Sequence, residues 1–193
     1  MKKKILMVLV AMMTMANLNA QTAGDMVFRF RGGGNLSTLT GSDDTKLKVG
    51  WTLGLGLDYS LTDQIAIGLD VSHDNIGAKI KSLDKTLNLE YVSAGPMAKY
   101  YVMPWLALQC GTEVGFLSKA KLDGEKCKED YKNVEVSLPV GLSFEPRLGN
   151  SFLGLVIDLR YRFGLSTVNN NDVQLDNMKN SALILTIGYK LGL

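Results

Sequence analysis

Twelve charged residues recur at alternate positions in alternating stretches of this chain. Six are basic, Arg29, Arg31, Lys99, Arg160, Arg162 and Lys190, and six acidic, Asp58, Asp70, Glu113, Glu135, Glu145 and Asp158. Each lies on the parity opposite to the apolar residues of its stretch. Equal numbers of opposite charges on one face of successive strands can pair across a dry space. They can also line a path for ions or protons. Isolated buried charge is costly and pairing offsets the cost, so a structural ion-pair network is the expected use.

Other chemistry is thinly represented. His73 is the single histidine and stands between Ser72 and Asp74. A serine, a histidine and an acid could form a hydrolase triad. Neighbours along a strand point to opposite faces, so Ser72 and His73 would not meet, and no catalytic residue is assigned. Cys110 falls in an alternating stretch and Cys127 in a charged one. A disulfide would need their Cα atoms within about 7 Å, and two free thiols are expected. No Cys/His cluster suggests a metal. The glycine pairs follow the pleat and form no phosphate loop, so no cofactor is expected.

The charges need strands to carry them, and the last stretch shows the pattern best. From Asn180 to Leu193, Leu183, Leu185, Ile187, Tyr189, Leu191 and Leu193 form one parity, and Ala182, Ile184, Thr186, Gly188, Lys190 and Gly192 the other. Seven further stretches alternate similarly: 26–35, 48–60, 65–72, 87–101, 106–117, 133–145 and 153–163. In 87–101, Leu87, Leu89 and Tyr91 share one parity while Val92, Ala94 and Ala98 lie on the other. A bulge near Tyr91 would reconcile them. The connections alternate long and short. Polar 36–47, Lys-rich 73–86 (with the alternative that the third strand continues through Ile80), charged 118–132 and Asn-rich 165–179 are long, and the other three are turns.

Residues 1–20 stand apart. Lys2, Lys3 and Lys4, an apolar run from Ile5 to Met15 and a small residue at Ala20 have the layout of a cleaved signal peptide. The run is shorter than the ~20 residues of a membrane-spanning helix. Of 21 Lys+Arg and 19 Asp+Glu, the leader holds three lysines and no acid, leaving 18 against 19 in residues 21–193. That near-neutral balance excludes an electrostatic case for nucleic acid. Residues 21–193 are expected to form one domain.

Alternation alone does not say which parity faces out, since a soluble barrel points its apolar set inward. Here the polar parity is rich in glycine, which leaves room for long charged chains inside a narrow eight-stranded lumen. Aromatic residues also fall near strand ends in two belts, Trp51, Phe116, Tyr161 and Phe163 at one rim and Phe28, Tyr59, Trp105 and Phe144 at the other. The expected fold is therefore all-β: an eight-stranded antiparallel up-and-down transmembrane β-barrel following a cleaved signal peptide. Short turns and both termini would lie in the periplasm and long loops outside.

The end of the chain, Thr186, Gly188, Leu191 and Leu193, resembles the C-terminal signal by which outer-membrane barrels are recognised for assembly, with Leu193 in place of the usual Phe. Further motifs are Asn35-Leu36-Ser37, Lys48-Val49-Gly50-Trp51, Tyr91 with Lys99-Tyr100, Gly111-x-x-x-Gly115-Phe116-Leu117, Arg160-Tyr161-x-x-Gly164-Leu165 and Lys179-Asn180. Through these, residues 24–193 resemble the outer membrane protein β-barrel domain family, PorT-like and often labelled a porin family. The resemblance implies an architecture and no activity.

The function expected is that of a small monomeric outer-membrane barrel with a structural or surface-binding role through its outer loops. A narrow channel for small solutes or ions is the alternative, and a lipid-modifying enzyme a third reading. Expected partners are outer-membrane lipids and lipopolysaccharide, the barrel-assembly machinery, and an extracellular ligand or envelope protein.

Overall fold

The structure, a computed structural model, describes residues 22–41, 44–82, 84–146, 153–168 and 178–193. The signal-peptide reading of residues 1–20 lies outside them. Alternation commits each apolar stretch to a strand with one greasy face. Those strands are β1 (Met26–Thr40), β2 (Lys48–Ser60), β3 (Ile65–Ile80), β4 (Lys85–Met103), β5 in two parts (Leu106–Gly111 and Glu113–Leu122), β6 (Val134–Phe144), β7 (Leu153–Gly164) and β8 (Lys179–Gly192).

Each strand pairs antiparallel with its sequence neighbours, and β8 returns to β1. The seam runs from Val27 opposite Gly192 to Thr40 opposite Lys179. Eight strands thus close into a ring. Closure removes the unpaired edges that an open sheet would present to lipid.

The parity separates cleanly. Leu53, Leu55, Leu57, Val71, Leu185 and Ile187 are exposed on the outside of the wall. Trp51, Phe116, Tyr161 and Phe163 are exposed towards the long-loop end, and Phe28 and Tyr59 towards the short-turn end. Trp105 and Phe144 are half-buried there, with ring centroids 5.3 Å apart edge-on.

The strands extend further at the long-loop end than the alternation suggests. Within 36–47, β1 continues to Thr40 against β8 and Thr45–Lys46 pairs with β3. Most of 73–86 is strand, because β3 reaches Ile80 and pairs throughout with β4. Within 118–132, β5 runs to Leu122 and pairs with Glu125–Lys126, followed by a single 3-10 turn at Lys128–Asp130. These segments pack their own interior. Ile76, Leu87, Leu89, Tyr91, Leu117 and Val168 are buried in one apolar cluster there.

That cluster explains the irregular face of β4. Leu87, Leu89 and Tyr91 point inward, on the same parity as Ser93 and Lys99, so β4 never changes face. The bulge lies in its partner. Glu90 faces Lys119 and Tyr91 faces Leu117, leaving Ser118 as the extra residue. Ser118 lets β5 send both Leu117 and Ala120 inward.

The inward glycines serve two purposes. A Cβ on Gly54 would meet the Arg31 guanidinium at 2.9 Å, and one on Gly154 the Lys190 stem at 2.8 Å. These leave room for charged chains, as expected. At Gly33, Gly141 and Gly188 the obstacle is backbone of the next strand, at 2.0, 2.1 and 1.9 Å. There glycine permits the close strand approach of a tightly coiled wall.

Candidate functional site: the charged lumen

All twelve inward charges are buried. They come from all eight strands, with Glu145 just past β6, and gather in two tiers.

The larger tier lies nearer the short-turn end and centres on Asp70 of β3. Arg29 and Arg31 of β1 reach its carboxylate at 3.1 and 2.9 Å, and Arg160 of β7 reaches it at 2.5 Å. Arg29 also pairs with Asp58 at 2.7 Å, and Arg160 with Asp158 at 3.2 Å. Towards the turns, Lys99 bridges Asp58 at 3.0 Å and Glu145 at 2.5 Å, while Lys190 holds the other Glu145 oxygen at 2.8 Å. Tyr101 donates to Glu145 at 3.2 Å, and Gln109 donates to Asp158 at the same distance.

The second tier surrounds Arg162 of β7. Its guanidinium pairs with Asp74 at 3.0 Å and donates to Ser137 at 2.9 Å and Ser93 at 3.0 Å. Glu113 and Glu135 stand further off, at 3.9 and 4.0 Å. Asn180 donates to Glu135 at 2.9 Å. Asp74, Ser93, Gln109, Ser137 and Asn180 were not among the charges singled out by alternation. Their inward parity was the available signal. For Asp74 it required extending β3 past Ser72.

A void between the tiers is small. Between the tiers, Arg31, Thr52, Ser72, Asp74, Glu113 and Arg160 line a void of about 10 Å3. That is the volume that admits about one water. Beyond Arg162 the lumen meets the apolar cluster of the long-loop end. The interior therefore changes along its axis from packed charge to packed hydrocarbon.

The remaining reactive groups do not converge. Ser72 points inward and donates to Asp74 at 2.6 Å. His73 points outward, edge-on to Trp51 at 4.9 Å, with Nε2 3.6 Å from Glu90. Cys110 and Cys127 are free, Cys110 on the exposed side of the wall. At the long-loop end, burial and then Asp130 push the Cys127 thiol up from its ordinary pKa, away from reactive thiolate. Among the described residues no group of three or more His, Cys, Asp or Glu could hold a metal ion. No helix there is long and apolar enough to cross a membrane.

The assembly-signal residues occupy both faces of β8. Thr186 and Gly188 turn inward, while Leu191 and Leu193 are exposed outside. Gly192 faces Val27, and the Leu193 amide donates to the Met26 carbonyl at 2.9 Å.

A closed eight-stranded wall, apolar outside and charged within, defines an integral outer-membrane β-barrel. The chain belongs to the outer membrane protein beta-barrel domain family, whose model matches residues 6–190.

Among solved structures it is similar to Ail, the attachment invasion locus protein of Yersinia pestis, in complex with the heparin analogue sucrose octasulfate. The identity is 17%, covering 86% of this chain and 99% of that one, with a TM-score of 0.55. Neisserial surface protein A is similar at 12% identity, covering 85% and 96%, with a TM-score of 0.53. These likenesses show the fold alone. No curated protein matches the chain.

Proposed function

We propose that this outer-membrane barrel is a non-conducting, non-catalytic protein that acts through the surface it presents outside the cell. The observation that carries the reading is the filled lumen. Arginines from β1 and β7 converge on Asp70, leaving a void no larger than one water beside them. The apolar cluster lies above. Eight strands enclose little more than side-chain volume, and here both tiers use it. Ser72 and Asp74 face inward while His73 faces out, which supports the absence of hydrolase chemistry.

The orientation follows the usual asymmetry of such barrels, short turns and both termini inward and long loops outward. Lipid surrounds the wall, the barrel-assembly machinery recognises the β8 end, and the extended strands carry a ligand or envelope partner. Liposome swelling tests this directly. Vesicles holding the purified protein should swell in small sugars no faster than empty vesicles, and rapid swelling would restore the channel reading.

A further inference from the structure

Two pairs of lysines stand directly opposite each other on the long-loop crest. Thr45–Lys46 pairs with β3 and sets Lys46 against Lys79. Glu125–Lys126 pairs with β5 and sets Lys121 against Lys126. All four side chains are exposed. Like charges directly opposite in an antiparallel pair are destabilising, and this crest carries the arrangement twice.

The pairs share one surface. Strand β4 lies between β3 and β5, with Thr86 facing Lys79 and Asn88 facing Lys121. Across the crest the order is therefore Lys46, Lys79, the neutral Thr86 and Asn88, Lys121, Lys126. At about 4.8 Å per strand, the outer lysines stand about 19 Å apart. Nearby acids have partners or sit at turns. Glu90 pairs with Lys119 at 3.1 Å, and Asp44 accepts from Ser82. Asp84 and Asp123 lie at hairpin tips, and Glu125 faces Leu122.

The direction of this surface identifies its partner. Lys79 has the parity of Val71, and Thr86 and Asn88 that of Val92, both on the lipid side. The lysines thus continue the outside of the wall past the apolar belt. They look sideways along the membrane plane, where headgroups lie, and not up into the medium. We propose that this face binds the phosphate groups of outer-leaflet lipid, with phosphate held between the opposed lysines and relieving their repulsion. The inference goes beyond the function proposed above and rests only on its orientation, long loops outside.

The test compares a crest variant, Lys79→Gln with Lys121→Gln, against a control of equal charge change, Lys128→Gln with Lys179→Gln. Each is placed in phosphatidylcholine nanodiscs, alone, with lipopolysaccharide, or with phosphatase-treated lipopolysaccharide. In phosphatidylcholine alone the crest variant should unfold at higher urea than wild type, because repulsion is removed. With intact lipopolysaccharide the order should reverse, and affinity should fall at least tenfold. The control should track wild type throughout, and phosphatase treatment should abolish the reversal. Absence of a reversal, or the same reversal with the treated lipid, would overturn the proposal. Tight binding of soluble inositol hexakisphosphate with no response to lipopolysaccharide would assign the face to a free anion and overturn the lipid reading. An error in the orientation alone would show separately, as failure of a membrane-impermeant amine reagent to label the crest lysines on intact cells.

Discussion

Arg160 and Asp70 stand 2.5 Å apart although β7 and β3 lie on opposite sides of the ring. The contact crosses the lumen at its waist. Arg162 repeats it one step along, reaching Asp74 of β3 at 3.0 Å. Strand β7 is thus tied across the barrel twice.

Asp70 is the acid most dependent on these ties, because three arginines share it. Removing one partner of a buried ion pair strands the other, at about 3–5 kcal/mol. Asp70→Ala should therefore destabilise the refolded barrel by about that amount, read from urea titrations in vesicles. Wild-type stability in that variant would show that the convergence contributes little.

Leu55 tests the inside-out assignment. It is exposed among other leucines of the wall, and an arginine at the bilayer midplane costs about 2–4 kcal/mol. Leu55→Arg should lower stability by that range, while Gly54→Ser, one residue away and facing the lumen, should be milder. The opposite ranking would mean that the apolar parity does not face lipid.

Gly188 separates the two uses of inward glycine. A methyl there would meet the Phe30 carbonyl at 1.9 Å, whereas at Gly54 it would meet a guanidinium at 2.9 Å. A side chain can shift where a paired backbone cannot. Gly188→Ala should impair folding far more than Gly54→Ala, as judged by heat-modifiable migration on gels. Equal behaviour would remove the case for close strand approach at the seam.

Deleting Gly192 and Leu193 should damage assembly. It removes the pairing of Gly192 with Val27 and the Leu193 amide bond to Met26, reopening an edge at the seam. The truncated chain should lose heat-modifiable migration and be degraded before insertion. Normal insertion would show that the end of β8 is no assembly signal.

Much of the fold is legible in period two. The eight strands and their closure follow from apolar residues on one parity and charges on the other, as in 153–163 with Asp158, Arg160 and Arg162 between leucines and aromatics. The long-loop end was less legible because the rule reverses there. Inside the apolar belt the lumen holds charge, but past it Ile76, Leu87 and Leu89 turn inward as in a soluble protein. Local alternation cannot show that change of surroundings. Ser118 compounds it by shifting the parity of β5 with one residue. Asp74 is hard to read as a lumen charge for the same reason, since β3 continues past Ser72 through a Lys-rich stretch to Ile80, paired with β4 throughout. The wall glycines show a further limit. Alternation places Gly141 inside, but only the register shows that the obstacle is the Leu159 carbonyl at 2.1 Å and not a charged chain.

The filled lumen is tested most directly by single-channel recording in planar bilayers, with wild type beside the double variant Asp70→Ser, Arg160→Ser. Wild type should show a flat baseline with at most brief small openings, and the variant, with its central crossing removed, should show more frequent openings. Steady, large conductance from the wild-type protein would contradict the account.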